Sequence, residues 1–268
     1  MKRNDPVASS PTISDDLLYG VNPVREALRK GNPITRVWIS REKKDRITDE
    51  IIGHCRKATI PVTVVDKTFL DRISKGGVHQ GIAAQTAPRR YFAWREMLKS
   101  AKNAGEVPLL VLLDGVEDPQ NLGAVLRSVD ALGAHGAVIP KHRSAPFTAG
   151  AARASAGAWE HVMVDRVVNL TRAIEEMKQE GFWVIGADAD AKQTIYDTDW
   201  SGATALILGG EHKGLSTLVR SKCDVLVNIP MKGQVNSLNV SAAAAVILSE
   251  INRQRESKRA LLEDDHAL

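Results

Sequence analysis

The sequence predicts an α/β protein in two folded units: a small alternating unit, then a mostly parallel sheet flanked by helices. Three observations predict it. Beyond residue 107 the apolar residues come in continuous short runs, such as LLVLL at 109–113 and FWVIGA at 182–187, separated by stretches of helical periodicity. Strands that are apolar along their whole length are buried on both faces, as in a parallel sheet covered by helices. Before residue 88, shorter strand-like and helix-like stretches alternate over roughly 70 residues, a size that folds as a unit. The composition is globular: of 268 residues, 43% are hydrophobic and 25% charged, which excludes a wholly disordered or fibrous chain.

Taken in order, residues 1–16 are polar, with Pro6 and Pro11, and read as a flexible tail. The small unit spans 17–88. Asn22 followed by Pro23 predicts a helix start, with Val24, Ala27 and Leu28 along it. RVWIS at 36–40 reads as a strand. Residues 45–58 read as a helix with Ile47, Ile51 and Ile52 on one face. PVTVV at 61–65, a short helix at 67–74 and GIAAQTA at 81–87 complete the unit. Pro88, Arg89 and Arg90, then a polar helix-like stretch and Gly105, mark 89–106 as a linker. The larger unit spans 107–254, with strands expected at 109–113, 137–139, 161–164, 182–187, 205–209 and 225–229. The mixed-charge segment 255–268 is expected to fray.

Several classes are set aside. The longest apolar runs, 109–113, 205–208 and 242–248, are far short of the roughly 20 residues of a membrane-spanning helix. No apolar stretch follows the basic residues at the start, so no secretory leader is expected. The two cysteines, Cys55 and Cys223, cannot organise a disulfide scaffold or a cysteine-rich zinc site. A cytoplasmic protein without a membrane partner is expected. There is no GxGxxG after a strand, no GxxxxGK[ST] and no GxSxG, and the seven histidines lack metal-ligand spacing, so no metal is expected. Charge is uneven. Residues 1–106 hold 20 Lys/Arg against 12 Asp/Glu, and the remainder 16 against 20, so the basic half is the candidate to meet a polyanion.

Three polar loops follow apolar strands. In DGVEDPQNLGAVLR (114–127), Asp118 and Pro119 predict a helix start, with Asn121 in its first turn and Arg127 further along. In ALILGGEHKGLS (205–216), two glycines allow close approach to the backbone, and Glu211 and His212 sit at the strand's carboxyl end, where open α/β sheets bind ligands. In NIPMKGQVNSLNVSAAAAVILSE (228–250), a loop rich in Lys, Gln, Asn and Ser separates a buried strand from an Ala-rich helix, with Ser237 a candidate N-cap. On residue types alone, capping and a surface cation explain the first loop better than chemistry does, a simple turn suffices for the second, and a Ser237 cap for the third.

Together the three loops resemble the SpoU (TrmH) family of RNA 2′-O-ribose methyltransferases. The first matches N-x(5)-R as Asn121 to Arg127, the second L-x-x-G-x-E-x-x-G as Leu206 to Gly214, and the third I-P-M-x-G-x-V-x-S-L-N-V-S as Ile229 to Ser241. LYGVNPVREAL (18–28) and HQGIAA (79–84) resemble the family's ribosomal-protein-like RNA-binding domain. The resemblance implies a deep trefoil knot in the catalytic sheet, S-adenosyl-L-methionine as cofactor and a homodimer with the active site completed across the interface. It implies catalytic roles for Asn121, Arg127, Glu211, Ser237 and Asn239, and cofactor contacts at Gly209, Gly210, Ile229, Met231 and Leu238. Arg127 matches the position of the family's proposed general base; a guanidinium stays protonated, so gripping a phosphate is the role expected here. Asn121 and Glu211 are expected to orient Arg127, the ribose or RNA. RNA contacts are expected at Arg25, Arg29, Lys30, Arg41, Lys43, Lys44, Arg46, Arg89 and Arg90, and His79 and Gln80 are read as holding a turn. The domain arrangement is most like family enzymes that modify a guanosine of large-subunit ribosomal RNA. A transfer RNA substrate and a non-catalytic RNA-binding role in ribosome assembly are the alternatives.

Overall fold

The computed structural model describes residues 17–29, 34–74, 76–86, 91–145, 149–211 and 213–265. The expected N-terminal tail, Lys30, Arg89, Arg90 and His212 lie outside them. The chain divides into two compact units between Arg89 and Arg90.

The first unit runs β1 (Leu17–Tyr19), α1 (Val21–Arg29), β2 (Ile34–Ser40), α2 (Arg46–Lys57), β3 (Val62–Val65), α3 (Lys67–Ile73) and β4 (Ile82–Thr86). Its sheet has the order β1-β4-β2-β3, with β2 parallel to β3 and antiparallel to β4, and β4 antiparallel to β1. β1 was not foreseen as a strand, because three residues are too few to show a period. α1 begins before the Pro23 start that the sequence suggested. The Val21 N–H donates to Gln80 Oε1 at 3.1 Å and the Val24 N–H to Gly20 O at 3.3 Å, so a side chain 59 residues away caps this helix rather than Asn22. In α2 the inward face is Thr48, Ile51 and Cys55, whereas Ile47 is 36% exposed. Asp45 caps it, accepting from Thr48 N and Oγ1, each at 2.8 Å. Lys43, first, and then these Thr48 bonds hold the Asp45 carboxyl down to about 2.

The second unit runs α4 (Trp94–Asn103), β5 (Leu109–Asp114), α5 (Pro119–Ala131), β6 (Gly136–Pro140), α6 (Ala149–Ala154), α7 (Ala158–His161), β7 (Val164–Val167), α8 (Leu170–Gln179), β8 (Trp183–Ala187), β9 (Gln193–Thr194), β10 (Thr204–Gly209), α9 (Thr217–Lys222), β11 (Val225–Asn228) and α10 (Val240–Asp265). The sheet order is β7-β6-β5-β10-β8-β11-β9, and among the described residues its strand pairings are parallel, in keeping with the expected mostly parallel sheet. Alternate residues of each strand feed opposite faces. Leu109, Val111 and Leu113 join Leu206 and Leu208 under α5 and α10, while Leu110 and Leu112 join Ala205 and Ile207 under α4, α8 and α9. Burying each of these leucines contributes about 2 kcal/mol.

Three expectations are corrected in this unit. The presumed linker contains α4, whose Trp94, Met97, Leu98 and Ala101 are core residues. Its first N–H, at Trp94, donates to Asp165 Oδ2 at 2.7 Å, a cap supplied from β7; burial pushes the Asp165 carboxyl up. The strand placed at 161–164 lies at β7, because Ala158–His161 is a helical turn. The C-terminal segment does not fray at 255: α10 continues to Asp265. Arg255 Nε donates to Trp200 O at 3.0 Å, Nη1 to Val107 O at 2.7 Å, and Nη2 to Gly202 O at 2.8 Å and Pro108 O at 3.3 Å.

The strand order sets the place for a site. From β5 the chain moves outward to β6 and β7, then returns to the far side for β8, and β10 fills the gap between β5 and β8. Connections therefore diverge at the β5–β10 boundary, and the loops leaving the carboxyl ends of these strands open a crevice there.

Candidate active site

Two loops meet directly at that boundary. The Gly210 N–H donates to Asp114 O at 2.9 Å, and Asp114 Oδ2 accepts from Ser216 N at 2.7 Å. The Gly214 N–H returns to Gly210 O at 2.9 Å, closing the second loop on itself. A Cβ at Gly210 would drive into the carbonyl oxygen of Gly115, and one at Gly209 into the backbone of Gly214. Both glycines are thus required by close crossing of two loops. Asp118 caps α5, accepting from Gln120 N at 3.1 Å, with Pro119 in the first turn, as the sequence suggested.

The third loop joins through side chains. Asn239 Oδ1 accepts from Ser241 N at 2.9 Å and Ser241 Oγ at 2.6 Å, which caps α10. The cap is therefore Asn239 and not Ser237, which lies exposed two residues earlier. Asn239 Nδ2 donates to Asn121 Oδ1 at 3.0 Å, and Asn121 Nδ2 donates to Glu211 Oε1. The relay has one sense. A backbone N–H can only donate, so Ser241 fixes the Asn239 amide; that amide fixes Asn121, and Asn121 points its N–H at a carboxylate. Residues 90 and 118 positions apart are thereby locked into one constellation.

The other expected catalytic residues stand apart from this network. Arg127 is exposed on α5 and has no hydrogen-bond or ion-pair partner among the described residues. Six helical residues place it about 9 Å along the axis and about 120° around from Asn121. The expectation that Asn121 or Glu211 holds Arg127 is thus not met within one chain. Ser237 and Leu238 are exposed on the loop between β11 and α10, Met231 is half-buried there, and Ile229 packs against the core beneath α10.

Fit to S-adenosylmethionine can be judged from the donor set. Among the described residues, the N–H groups of 231–238 make no backbone hydrogen bond. An exposed loop with free backbone donors that also carries the apolar side chains of Ile229, Met231 and Leu238 suits an adenosyl group. Such a group needs apolar contact on its plane and hydrogen bonds at its edge. Asp114 and Ser241, which hold the site together, were not singled out by residue type. The signal for Asp114 was a carboxylate ending an otherwise apolar strand.

In the first unit the basic candidates differ. Arg29 pairs with Glu50 at 2.7 Å and Lys43 with Asp45 at 2.7 Å, Arg25 is half-buried, and Arg41, Lys44 and Arg46 are exposed. His79 is buried. Its Nδ1 accepts from Gly81 N at 3.0 Å, so its Nε2–H is the one donated to Asp71 Oδ1 at 2.9 Å. With Gln80 capping α1, both residues hold the turn. Among the described residues no group of three or more His, Cys, Asp or Glu is arranged to hold a metal, and no helix is long and apolar enough to cross a membrane.

Comparison with known proteins bears on this geometry. Residues 108–249 match the model of the SpoU rRNA methylase family, and residues 17–92 match that of the RNA 2′-O ribose methyltransferase substrate-binding domain. The chain is 40% identical over 240 residues to a protein of Bacillus subtilis (strain 168) named as a TrmH family tRNA/rRNA methyltransferase, YacO; the match covers 90% of this chain and 96% of that one. It is 44% identical over 248 residues to an uncharacterized tRNA/rRNA methyltransferase of Mycolicibacterium vanbaalenii, covering 92% and 79%. Among solved structures, the SpoU methyltransferase AviRb from Streptomyces viridochromogenes, in complex with the cofactor AdoMet, superposes with a TM-score of 0.60 at 28% identity, covering 90% of each chain.

Proposed function

The chain belongs to the SpoU rRNA methylase family of RNA methyltransferases, and from that premise we propose that it methylates the ribose 2′-hydroxyl of one nucleotide, a guanosine of large-subunit ribosomal RNA. The observation that carries the reading is the Ser241–Asn239–Asn121–Glu211 relay at the carboxyl ends of β5, β10 and β11. S-adenosylmethionine supplies the methyl group when bound; Gly209, Gly210, Ile229, Met231 and Leu238 are the residues that would hold it. The chain's own task is to orient a weakly acidic hydroxyl in line with that donor and to ease loss of its proton. The Asn121 amide and Glu211 carboxylate, pre-set by the relay, present fixed polar groups to the ribose. Asn239 fixes the third loop, and Ser237, exposed on it, is left to bond substrate or cofactor. Arg127 grips the adjoining phosphate, and its charge favours the developing alkoxide. Arg127, exposed and without a partner among the described residues, about 120° around α5 from Asn121, supports a homodimer in which the active site is completed across the interface. The place of β10 between β5 and β8 supports a trefoil knot, a rare topology. The first unit, with Lys44 and Arg46 exposed, is the RNA-docking unit, and the protein works in the cytoplasm.

The reading is tested by incubating the protein with radiolabelled S-adenosylmethionine and unmodified RNA of each ribosomal subunit or transfer RNA, then mapping alkali-resistant positions. A methylated 2′-hydroxyl cannot attack its own phosphate. Label at one resistant position of large-subunit RNA is expected. Label in transfer RNA would overturn the substrate and keep the chemistry, a second reading favoured by the tRNA/rRNA naming of YacO. Cofactor binding without label on any RNA would point to a ribosomal particle as the substrate, and failure to bind cofactor as well would favour a non-catalytic role. Arg127→Lys should raise KM for RNA severalfold and leave kcat within about fivefold, since a lysine still holds a phosphate as a point charge. A kcat loss above about 100-fold in steady-state assays would instead assign proton removal to the guanidinium.

A further inference from the structure

The loop after β6 carries Lys141, His142 and Arg143, all exposed and none in an ion pair among the described residues. They lie in the acidic half of the chain, where the uneven charge gave no reason to look for RNA contacts. The loop is nonetheless tied down at both ends. The Lys141 N–H donates to Val167 O at 2.7 Å, and Lys141 O accepts from Arg166 Nη2 at 3.1 Å. Ser144 Oγ donates to Pro140 O at 2.6 Å. The Ala145 N–H donates to Val116 O at 2.8 Å, which attaches the loop to the segment carrying Asp114 and Asp118. β6 is the immediate parallel neighbour of β5, so the loop that carries Lys141, His142 and Arg143 leaves the same carboxyl edge of the sheet as the loop that leads into the relay.

Arg143 adds a second observation. Its φ is +57°, a left-handed conformation that glycine takes freely and a side chain with a Cβ takes only at a cost. A glycine would suit the backbone of this turn better, yet an arginine occupies it, held in place by the bonds around it. An arginine kept in that conformation, exposed at the carboxyl edge of the sheet that carries the relay, marks its side chain as a candidate for function.

We propose that Lys141, His142 and Arg143 form a phosphate-gripping ridge in the catalytic unit, which holds the RNA backbone beside the target ribose. This rests on the RNA methyltransferase reading and extends it. The first unit supplies affinity for the RNA, and the ridge supplies its register at the reacting nucleotide. Phosphate contacts position a nucleic acid without reading its bases. The ridge residues are positioning residues and touch no reacting atom.

The test uses the full-length protein and three variants: Arg143→Gly, Arg143→Glu and the double Lys141→Ala/Arg143→Gly. Thermal melting, calorimetric binding of S-adenosylmethionine, and RNA affinity across a salt series are measured on each. Arg143→Gly removes the strain, so it should melt no lower than the parent and bind cofactor equally, while its RNA affinity falls roughly 3- to 10-fold. The slope of log affinity against log salt should shrink by about 0.7–0.9 for that single lost phosphate contact and by about twice that in the double variant. Arg143→Glu should weaken RNA further, with KM rising more than kcat falls. If the parent binds and methylates RNA and the variants match it in affinity and salt slope, the ridge is overturned and the function stands. If the parent neither binds nor methylates RNA, both fall.

Discussion

Asn121→Asp is expected to lower kcat by roughly 100- to 1,000-fold while leaving the melting temperature nearly unchanged. The side chain keeps its size, and a carboxylate in the first turn of α5 is favourable to the helix. What is lost is a donor. Asn121 Nδ2 gives its hydrogen to Glu211 Oε1, and an aspartate there has only acceptors, so two carboxylates face each other across a hydrogen-bond distance. They separate, or they share a proton. Separation moves the second loop away from the first, so the defect belongs to turnover rather than to folding. Sharing a proton restores the bond, so the residual activity of the variant relative to the parent should rise as pH falls from 8 to 6. Steady-state assays across that range, with calorimetric cofactor binding as control, check both parts. Asn121→Ala, which leaves Glu211 unpartnered without adding charge, should be impaired without the pH-dependent recovery. If Asn121→Asp retained more than half of the parent's kcat at pH 8, the relay would be a structural tie with no part in the reaction.

Arg255→Ala is expected to cost about 3 kcal/mol, seen as a drop in melting temperature of roughly 6–12 °C for a unit of this size. Arg255 reaches four carbonyl oxygens, on Trp200, Val107, Pro108 and Gly202, at the amino-terminal edge of the sheet. Burial pushes its guanidinium down to about 10, so it stays charged at neutral pH. The acceptors lie in the segments entering β5 and β10, the two strands whose far ends carry the relay. Removing the fork leaves these oxygens without a protein donor and frees the last turns of α10. Arg255→Lys should recover less than half of the loss, because an ammonium cannot span four acceptors arranged for a planar fork. Differential scanning calorimetry of the three proteins checks this; equal melting of parent and alanine variant would mean that α10 is held by its apolar face alone.

Much of the architecture was legible because its causes are local. The apolar runs at 109–113 and 205–209 announced β5 and β10, since a strand buried on both faces has no polar side to show. Asp118 and Pro119 announced the start of α5 by cap chemistry confined to four residues. The motif residues of the three loops were found by resemblance, which names positions without their contacts. Illegible features had distant causes. α1 begins where Gln80 caps it, and at α4 the distant Asp165 adds to the local bond from the Ala93 N–H to Glu96, so neither start is written wholly nearby. The stretch 94–103 read as a polar helix-like part of a linker because the elements its Trp94, Met97, Leu98 and Ala101 pack against, β6 and α8, lie far along the chain. The tail looked frayed because the acceptors of Arg255 lie 50 residues or more upstream.

What the sequence by itself determined, then, is the set of elements and the chemical types gathered at their ends, because hydrophobic period, caps and turns act over a few residues. What only the tertiary structure decided is which of those groups meet. Asn121 donates to Glu211 and accepts from Asn239 because β10 settles between β5 and β8 and delivers its loop beside that of β5. No local pattern encodes that placement. It is set by burying both faces of a parallel sheet, and the polar relay forms at the one boundary where the connections diverge.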